Sequence, residues 1–374
     1  MSGLTKILAR NMLHLPGWRS NRKIVVFESD DWGSIRMPSK EVYESLVNKG
    51  ITLQNLAYNK YDSLANGEDL NRLFEVLLSV RDKNGKPAVI TANTIVANPD
   101  FGRIKQADYR EYFYEPFTET LKRYPNHKDA FEYWKKGMEL GVFKPQFHGR
   151  EHLNVKRWIR ALQEDIGNVR LAFDHQMFDL STSLVIGVNS FMEALNYENP
   201  AEVEEQKIIL TEGLDLFEKI FKYRSTTFIP PVYTWSNELN QHLYQEGIEA
   251  YQGGWFQHEP ILGKEHRFKK RFHFTGQKNK YEQYYLVRNV AYEPSDNPQF
   301  DWISDVLRRA KISFRWGKPL IVSTHRINFI GSIDPENREQ NLKLFKKLLE
   351  VLVHQYPDIE FMSSDSLLEL IKNK

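Results

Sequence analysis

Short runs of apolar residues alternate with amphipathic segments along most of the chain. The apolar runs predict β-strands at residues 23–29, 87–97, 143–149, 169–174, 226–231, 249–254, 319–325 and 359–364. Between several of these runs, apolar residues recur at the spacing of a helix face, as in 155–162 and 342–351. Strands that alternate with helices predict a parallel sheet with the helices packed outside it.

The number of strand–helix units indicates the kind of sheet. About seven or eight units in one chain favour an α/β fold of the distorted (β/α)7-8 barrel type over an open sheet, since barrels take roughly 250 residues plus insertions. Two segments account for the excess length, a helical insertion around 51–140 and a loop or β excursion around 257–299. No Pro-, Gly- or Ser-rich linker interrupts the chain, so we predict a single domain over residues 1–374.

Composition and charge are those of an ordinary globular protein. Hydrophobic residues make up 41% of the chain and charged residues 27%. The net charge of +2 predicts little about partners, but the sequence has no basic tract of the kind that follows phosphates, so we expect no nucleic-acid partner. The most basic stretch, residues 267–274, predicts a solvated loop or hairpin. Residues 1–18 lack the apolar run of a signal peptide and predict a weak amphipathic helix packed on the domain. No run reaches membrane-spanning length, so we expect a cytoplasmic protein.

Titratable residues collect where the predicted strands end, which is the edge where barrel enzymes place their function. The chain has no cysteine, which excludes disulfides, thiolate zinc sites and cysteine nucleophiles. Asp, Glu and His are therefore the strong metal ligands available. The polar and aromatic residues at the predicted strand ends are Asp30, Asp31, Asn93, His148, His152, Asp174, His175, Tyr233, Trp235 and His325.

Two motifs among these residues predict a divalent metal site. HGREH places His148 and His152 four residues apart, which puts both imidazoles on one side of a helical turn. KIVVFESDDWGS ends a buried strand in Asp30 and Asp31, whose mutual repulsion solvent, a basic side chain or a metal ion would offset. Catalytic zinc takes three N or O ligands. Two histidines and one aspartate supply them, and the second aspartate can take a proton from water.

The order of these motifs resembles that of a known family. After them come a proline-rich strand end, TTFIPP, and a late strand that ends in histidine, IVSTHRINF. With this order the chain resembles the polysaccharide deacetylases, carbohydrate esterases built on a distorted (β/α)-barrel, as a divergent member. The resemblance implies that Asp30 is the catalytic base and His325 the general acid. The metal ligands that it implies are Asp31, His148 and His152.

The activity that the resemblance implies is hydrolysis of an acetyl group, N- or O-linked, on a sugar. The expected cofactor is one divalent ion, with zinc the first choice, although other divalent ions suit the same ligands. The expected partner is an acetylated sugar or polysaccharide. Because we expect a cytoplasmic protein, an unfinished precursor is the predicted substrate.

The family's arginine that holds the base is missing from this chain. Ile229 stands at its position, before the two prolines. Another cation must then hold Asp30, and the candidates are Arg36, Arg150 and Arg288. Arg288 is also a candidate substrate-binding residue.

Two further parts of the family's machinery match this chain loosely. The backbone N–H that helps to bind the oxyanion falls near Val232 or Tyr233. The aspartate that tunes the acid histidine has only Asp296 and Asp301 as candidates.

The remaining strand-end residues have both a functional and a structural interpretation. Trp32, Tyr233, Trp235 and Trp302 are candidates for stacking on sugar faces, and ordinary packing explains each of them equally well. Asp174 and His175 form either an outer pair that orients a ligand or, as we favour, a helix-capping Asp with a solvated His. Asn93 either lines the cleft or satisfies buried backbone groups.

Two alternatives to a metal-dependent deacetylase stay open. In the first, the carboxylates are the acid and nucleophile of a glycosidase, which would be active without metal and indifferent to the loss of both histidines. In the second, the barrel binds carbohydrate without catalysis, which the missing arginine makes conceivable.

Overall fold

A computed structural model describes residues 10–53, 56–180, 191–262 and 267–373. Its strands are β1 (Lys23–Trp32), β2 (Ile90–Ile95), β3 (Ala97–Pro99), β4 (Tyr114–Pro116), β5 (Phe143–Gly149), β6 (Thr227–Phe228), β7 (Ala250–Gly253), β8 (Phe256–Pro260), β9 (Phe268–Phe272), β10 (Tyr284–Val287), β11 (Val290–Ala291), β12 (Leu320–His325) and β13 (Ile359–Phe361). Its α-helices are α1 (Lys40–Asn48), α2 (Ala57–Tyr61), α3 (Gly67–Leu78), α4 (Phe101–Gln106), α5 (Phe117–Arg123), α6 (Ala130–Glu139), α7 (Val155–Glu164), α8 (Val169–Asp174), α9 (Ala201–Phe221), α10 (Leu239–Gln245), α11 (Trp302–Arg315), α12 (Pro335–Gln355) and α13 (Ser364–Lys372). Single 3₁₀ turns lie at Pro231–Tyr233 and Arg326–Asn328.

The main sheet is parallel and wraps around into a barrel. Its strand order is β10-β7-β6-β5-β2-β1-β12-β11, and β13 pairs with the start of β1. The two end strands, β10 and β11, are separated in the chain only by Arg288 and Asn289. The N–H of Arg288 donates to Gly253 O on one side (2.8 Å), and the N–H of Asn289 donates to Ile321 O on the other (3.0 Å). Residues 284–291, which we call the seam segment, therefore join the two ends of the sheet and confirm the predicted distorted (β/α)-barrel.

The apolar pattern explains why β1 lies at the centre of this sheet. Residues 24–27 are fully buried because helices cover one side of the sheet and the barrel interior the other. On the helix side, Phe27 meets Phe345 of α12 edge to face at 5.2 Å. The predicted helical segments 155–162 and 342–351 lie within α7 and α12 and are confirmed.

The predicted strand at 169–174 is wrong, because these residues form helix α8. Its buried residues Val169, Ala172 and Phe173 follow the i, i+3, i+4 spacing of a helix rather than the alternation of a strand. The predicted strand at 226–231 contracts to β6, since the two prolines that follow lack the N–H groups a strand needs.

The two segments that carry the excess length contain barrel strands as well as additions. Residues 51–140 hold helices α2 to α6 and the β3–β4 pair, together with barrel strand β2. Residues 257–299 hold most of the antiparallel β8–β9 hairpin and also the seam segment, which the sequence had not assigned to the barrel. The division of the chain into domains stays a prediction, and residues 1–9 of the predicted amphipathic helix lie outside the described residues. None of the described helices combines the length and apolarity needed to cross a bilayer.

Helix α9 approaches strand β5 closely at a glycine. A Cβ added at Gly213 would lie 2.8 Å from Cζ of Phe147 and 3.0 Å from Cβ of Arg150. These two residues flank His148, so the absence of a side chain at Gly213 lets the helix pack against the chain that carries the HGREH motif.

We expect Gly213→Ala to destabilise the protein by about 1–3 kcal/mol, because the added methyl group overpacks this contact. Gly102→Ala in α4 is the matched control, since its nearest neighbour would be Asp100 Oδ1 at an ordinary 3.5 Å. Urea denaturation of both variants measures the difference, and equal stabilities would contradict the close packing of α9 on β5.

Candidate metal centre and active site

An irregularity at the end of β1 directs two consecutive carboxylates into one cavity. Side chains normally alternate between the two faces of a strand. Here the pairing of β1 with β2 shifts register between Ser29 and Trp32, and Asp31 adopts a left-handed conformation with φ of 71°. Asp30 stays in register with His325 of β12. Asp30 and Asp31 therefore both line the same cavity.

This cavity opens at the carboxyl ends of the barrel strands and has a volume of about 300 Å³. Its acidic and basic lining, with histidine included, comprises Asp30, Asp31, Arg36, His148, His152, Asp179, Glu193 and His325. Its apolar lining includes Met37, Met177, Phe178, Met192, Ile229 and Pro230. A small polar cluster in a largely apolar cavity is the usual character of a small-molecule site.

Asp31, His148 and His152 form a group that can hold a metal ion. Their ligand atoms lie within 4.8 Å of one another, and all three residues are buried. Asp31 Oδ1 is 3.4 Å from Nε2 of His148 and 3.6 Å from Nε2 of His152. Among the described residues the group contains three protein donors, one oxygen and two nitrogens, which is the set that catalytic zinc uses. The residues thus fit a divalent ion with coordination positions left for water and substrate.

Hydrogen bonding and charge prepare these residues to bind a cation. Nδ1 of His148 donates to Ile229 O at 2.7 Å, which directs the lone pair of Nε2 towards Asp31. That Nε2 is buried and makes no hydrogen bond to any described residue. Burial lowers the pKa of His152 to about 3, despite the opposing charge of Asp31, so its imidazole is neutral. Burial would raise the pKa of Asp31, but the guanidinium of Arg36, which donates to its carboxylate, opposes this effect, and the pKa lies well below its usual value.

Arg288 of the seam segment holds the other carboxylate. Its two terminal nitrogens donate to the two oxygens of Asp30, each at 2.6 Å, and its Nε donates to Glu28 at 2.6 Å. Asn93 donates to Asp30 Oδ1 at 2.7 Å. Burial alone would raise the pKa of Asp30, but Arg288 outweighs it and lowers the pKa to about 2. Of the three candidate arginines, Arg288 is thus the one that contacts Asp30, and Asn93 donates to the same carboxylate.

The other two candidate arginines have different partners. Nη2 of Arg36 donates to Asp31 Oδ2 at 3.2 Å, beside the possible metal ligands. Arg150 pairs with Glu151 at 2.7 Å and also with Glu212. Neither of these pairings involves Asp30.

His325 lies across the cavity with its own carboxylate partner. Its Nδ1 donates to Glu293 at 2.7 Å, and its Nε2 is 3.8 Å from Asp30 Oδ2. Burial would lower the pKa of His325, but Glu293 and Asp30 outweigh it and raise the pKa to about 10. Asn328 donates to the second oxygen of Glu293 at 2.8 Å, which fixes the orientation of that carboxylate.

The sequence had offered Asp296 and Asp301 as partners of His325, and both are wrong. Asp296 is exposed, and Asp301 caps helix α11 by accepting from the N–H of Ser304. Glu293 was missed because it follows β11, a strand of two residues that carries no recognisable period. The sequence does contain one indication of this strand. Val290 and Tyr292, which precede Glu293, are both buried and are two residues apart, as on one face of a strand.

The Pro231–Tyr233 turn adds a backbone donor to the cavity wall. Val232 and Tyr233 both have positive φ, 55° and 56°, which is strained for a β-branched residue such as Val232. The N–H of Tyr233 donates to Pro230 O at 2.9 Å, whereas the N–H of Val232 has no acceptor among the described residues. The hydroxyl of Tyr233 accepts from Arg288 at 3.2 Å. Of the two residues predicted near the oxyanion, Val232 is therefore the one with a free donor.

Three of the predicted sugar-stacking aromatics lie away from the cavity. Trp32 is buried against Phe143 at 4.8 Å, and Trp235 is buried against Tyr251 at 5.3 Å. Trp302 is the first residue of α11, has its ring centroid 4.6 Å from that of Phe300, and does not line the cavity either. Because these indoles are largely covered by protein, packing explains them, and Tyr233 is the predicted aromatic that remains at the cavity.

Asp174 and His175 are also remote from the cavity. Asp174 ends helix α8 instead of capping a helix start, and it forms an exposed ion pair with Lys105 at 2.9 Å. His175 follows it and is half-exposed, with Nε2 3.4 Å from Lys49 Nζ. Neither predicted role, ligand orientation or helix capping, agrees with this arrangement.

Comparison with known proteins gives similarity only at the level of solved structures. No protein-family model matches the sequence, and the curated proteins contain no match. Among solved structures, a 4-alpha-glucanotransferase from Thermococcus litoralis matches with 10% identity and a TM-score of 0.47, covering 93% of this chain and 40% of that one.

Two further matches are deacetylases of similar length. A putative polysaccharide deacetylase from Mycobacterium smegmatis has 10% identity and a TM-score of 0.45, covering 96% of this chain and 93% of that chain. A probable polysaccharide deacetylase from Pseudomonas aeruginosa PAO1 has 9% identity and a TM-score of 0.45, covering 92% and 90%. This chain thus spans less than half of the glucanotransferase and nearly all of the deacetylases. Polysaccharide deacetylases are among the solved structures that it resembles, at identities that bear on fold alone.

Proposed function

We propose that this protein is a metal-dependent hydrolase that removes N- or O-linked acetyl groups from a sugar or polysaccharide precursor. The observation that carries the proposal is the presence, in one cavity, of a three-donor metal group with an anionic carboxylate and a cationic imidazole beside it. Metal, base and acid are the three parts that metal-dependent hydrolysis of an amide or ester uses. Support for an acetylated sugar comes from the order of motifs shared with the polysaccharide deacetylases.

The proposed mechanism divides the work between neighbouring residues. A divalent ion held by Asp31, His148 and His152 would supply Lewis-acid polarisation of the acyl carbonyl and of water. Asp30 takes one proton from the attacking water as oxygen adds to the carbonyl carbon. Arg288 keeps both oxygens of Asp30 ionised and correctly oriented for this transfer.

The second half of the reaction uses the other cavity wall. The N–H of Val232 donates a hydrogen bond to the oxyanion of the tetrahedral intermediate. His325 is cationic because of Glu293, and it gives a proton to the departing amine or hydroxyl as the C–N or C–O bond breaks. The proton later passes from Asp30 back to His325 across the 3.8 Å between them, which regenerates both groups.

The charge states favour this chemistry over the glycosidase alternative. A glycosidase needs one carboxylic acid that is protonated at working pH. Burial opposes ionisation of Asp30 and Asp31, yet their cationic neighbours lower the pKa of both. The alternative of a non-catalytic carbohydrate-binding barrel depended on the missing arginine. It loses support because Arg288 supplies a cation to Asp30 although Ile229 does not. A cytoplasmic location is part of the proposal, and detection of the native protein outside the cell would contradict it.

Elemental analysis of the purified protein tests the metal group directly. We expect about one divalent ion per chain in the wild type and little in a His148→Ala, His152→Ala double variant, because one donor alone holds the ion weakly. His175→Ala, which alters a histidine outside the cavity, is the matched control. Equal and negligible metal in all three proteins after incubation with zinc would remove the basis of the proposal.

Arg288→Lys tests whether the two hydrogen bonds from Arg288 to Asp30 are needed for activity. Lysine keeps one positive charge but cannot donate to both oxygens of Asp30 and to Glu28 together. We expect kcat/KM on an acetylated amino sugar to fall about 10²-fold, with metal content unchanged. Unchanged kcat/KM would show that the orientation of Asp30 does not depend on Arg288.

Glu293→Gln tests the tuning of the acid. Glu293 raises the pKa of His325, so its neutralisation lowers that pKa. Because the protonated imidazole is the active form, activity is lost as pH rises through the pKa, and the alkaline limb of the kcat/KM profile should move to lower pH. We also expect kcat to fall about 10-fold or more. Asp296→Asn is the matched control and should leave the profile in place; a similar shift in both variants would contradict the assignment of Glu293.

A further inference from the structure

The β8–β9 hairpin exposes large apolar side chains that the proposed reaction does not use. Phe256 and Phe272 are opposite each other in the register, are 44% and 39% exposed, and have ring centroids 5.7 Å apart. Leu262, just beyond β8, is 49% exposed. Clustered exposure of this kind marks an interaction site more often than a surface that faces only water.

The same hairpin is strongly basic. Arg267, Lys269 and Lys270 are exposed and have no carboxylate partner among the described residues. Glu259 is the acidic side chain within the described part of the hairpin, and Arg271 already pairs with it at 2.6 Å. Since the whole chain has a net charge of only +2, positive charge is concentrated here.

The apolar exposure continues onto the neighbouring amino-terminal segment. Trp255 stacks on Phe272 with centroids 6.0 Å apart, and its other neighbour is the ring of His14 at 5.6 Å. Met12 and Leu15, on either side of His14 in the chain, are both exposed. The surface around the hairpin therefore combines aliphatic and aromatic side chains with cations.

The hairpin is also tied to the wall of the catalytic cavity. His258 of β8 forms a bridge with Thr234, the residue that follows the cavity-lining Tyr233. The side chain of Gln257 donates to Trp235 O at 2.9 Å. Whatever the hairpin binds is thus brought next to the cavity.

We propose that the hairpin surface, defined as Phe256, Leu262, Lys270 and Phe272, docks the protein on an anionic lipid bilayer. Lys270 is two residues from Phe272 on β9, so both project from the same face of the hairpin. Apolar side chains beside cations are the combination used in interfacial binding, because the apolar groups enter the headgroup boundary while the cations meet lipid phosphates. A nucleic acid would neutralise the lysines but offers no hydrocarbon for the aliphatic residues. A second copy of this surface would place like charges against each other.

Co-sedimentation of the full chain with vesicles tests this proposal. We expect binding to phosphatidylcholine vesicles that contain about 30% phosphatidylglycerol, weaker binding as salt rises, and little binding to phosphatidylcholine alone. Lys270→Gln should weaken binding about fivefold, the contribution of one cation at the surface. Phe256→Ser with Phe272→Ser should weaken it at least about 10-fold.

Two control variants distinguish vesicle binding by this surface from non-specific binding by exposed apolar residues and from the proposed catalytic function. Ile208→Ser with Tyr244→Ser removes exposed apolar side chains on α9 and α10 and should leave binding unchanged. The His148→Ala, His152→Ala variant should also bind vesicles like the wild type, so vesicle binding and metal binding can fail independently.

Several results would overturn the docking proposal. They are absence of sedimentation with anionic vesicles at low salt, equal losses in the hairpin and control variants, and equal binding to neutral and anionic vesicles. Tighter binding to a single-stranded oligonucleotide than to anionic vesicles, or a dimer that the hairpin substitutions dissociate, would assign the surface to nucleic acid or to a second copy instead.

Discussion

Arg288 donates hydrogen bonds to two carboxylates of β1, and these bonds both hold the barrel together and orient a carboxylate of the cavity. Glu28 and Asp30 are two residues apart on β1, so both point to the same face, and Arg288 donates to both. Ser364 of α13 donates to the second oxygen of Glu28 at 2.7 Å. Loss of the cation would leave two buried negative charges unpaired, which typically costs about 3–5 kcal/mol for a broken buried pair. The guanidinium of Arg288 thus both links the seam segment to β1 and orients Asp30.

Environment separates the charge states of residues that have similar intrinsic chemistry. His152 is kept neutral by burial, whereas His325 is kept cationic because Glu293 outweighs the same burial effect. Asp30 and Asp31 are both anionic, but one lies against a guanidinium and the other between two imidazoles. Such opposed shifts within a few ångströms are typical of sites where proton transfer is organised.

Much of the site could be predicted from sequence, because its residues follow strands with a strong apolar signal. Strand ends converge at one edge of a barrel, which is why Asp30, Asp31, HGREH and His325 could be grouped without coordinates. Glu293 and the barrel role of the seam segment could not be predicted, since strands of two and four residues carry too little period to recognise. The choice of Arg288 depends on a contact across 258 residues of chain, which leaves no local trace in the sequence.

The sequence was least informative where a local pattern fits two structures. Residues 169–174 are apolar enough for a strand, yet the spacing of their buried positions is helical. Trp32 follows the aspartate pair, where a rim position was a reasonable expectation, but its indole enters the core and donates to Ser29 at 2.9 Å. In both cases the side chains that become buried are determined by tertiary contacts with residues far away in the chain, which a local pattern does not show.

The left-handed conformation of Asp31 has a mechanical consequence. Asp31, the possible metal ligand, and Asp30, the proposed base, are adjacent in the chain, so a displacement of one by backbone motion carries the other with it. Movements of the barrel strands relative to one another therefore change the separation of these two carboxylates little. His148 and His152 belong to a different part of the chain, at and just after the end of β5, so a movement of β5 relative to β1 changes the spacing within the candidate metal group but leaves Asp30 and Asp31 adjacent.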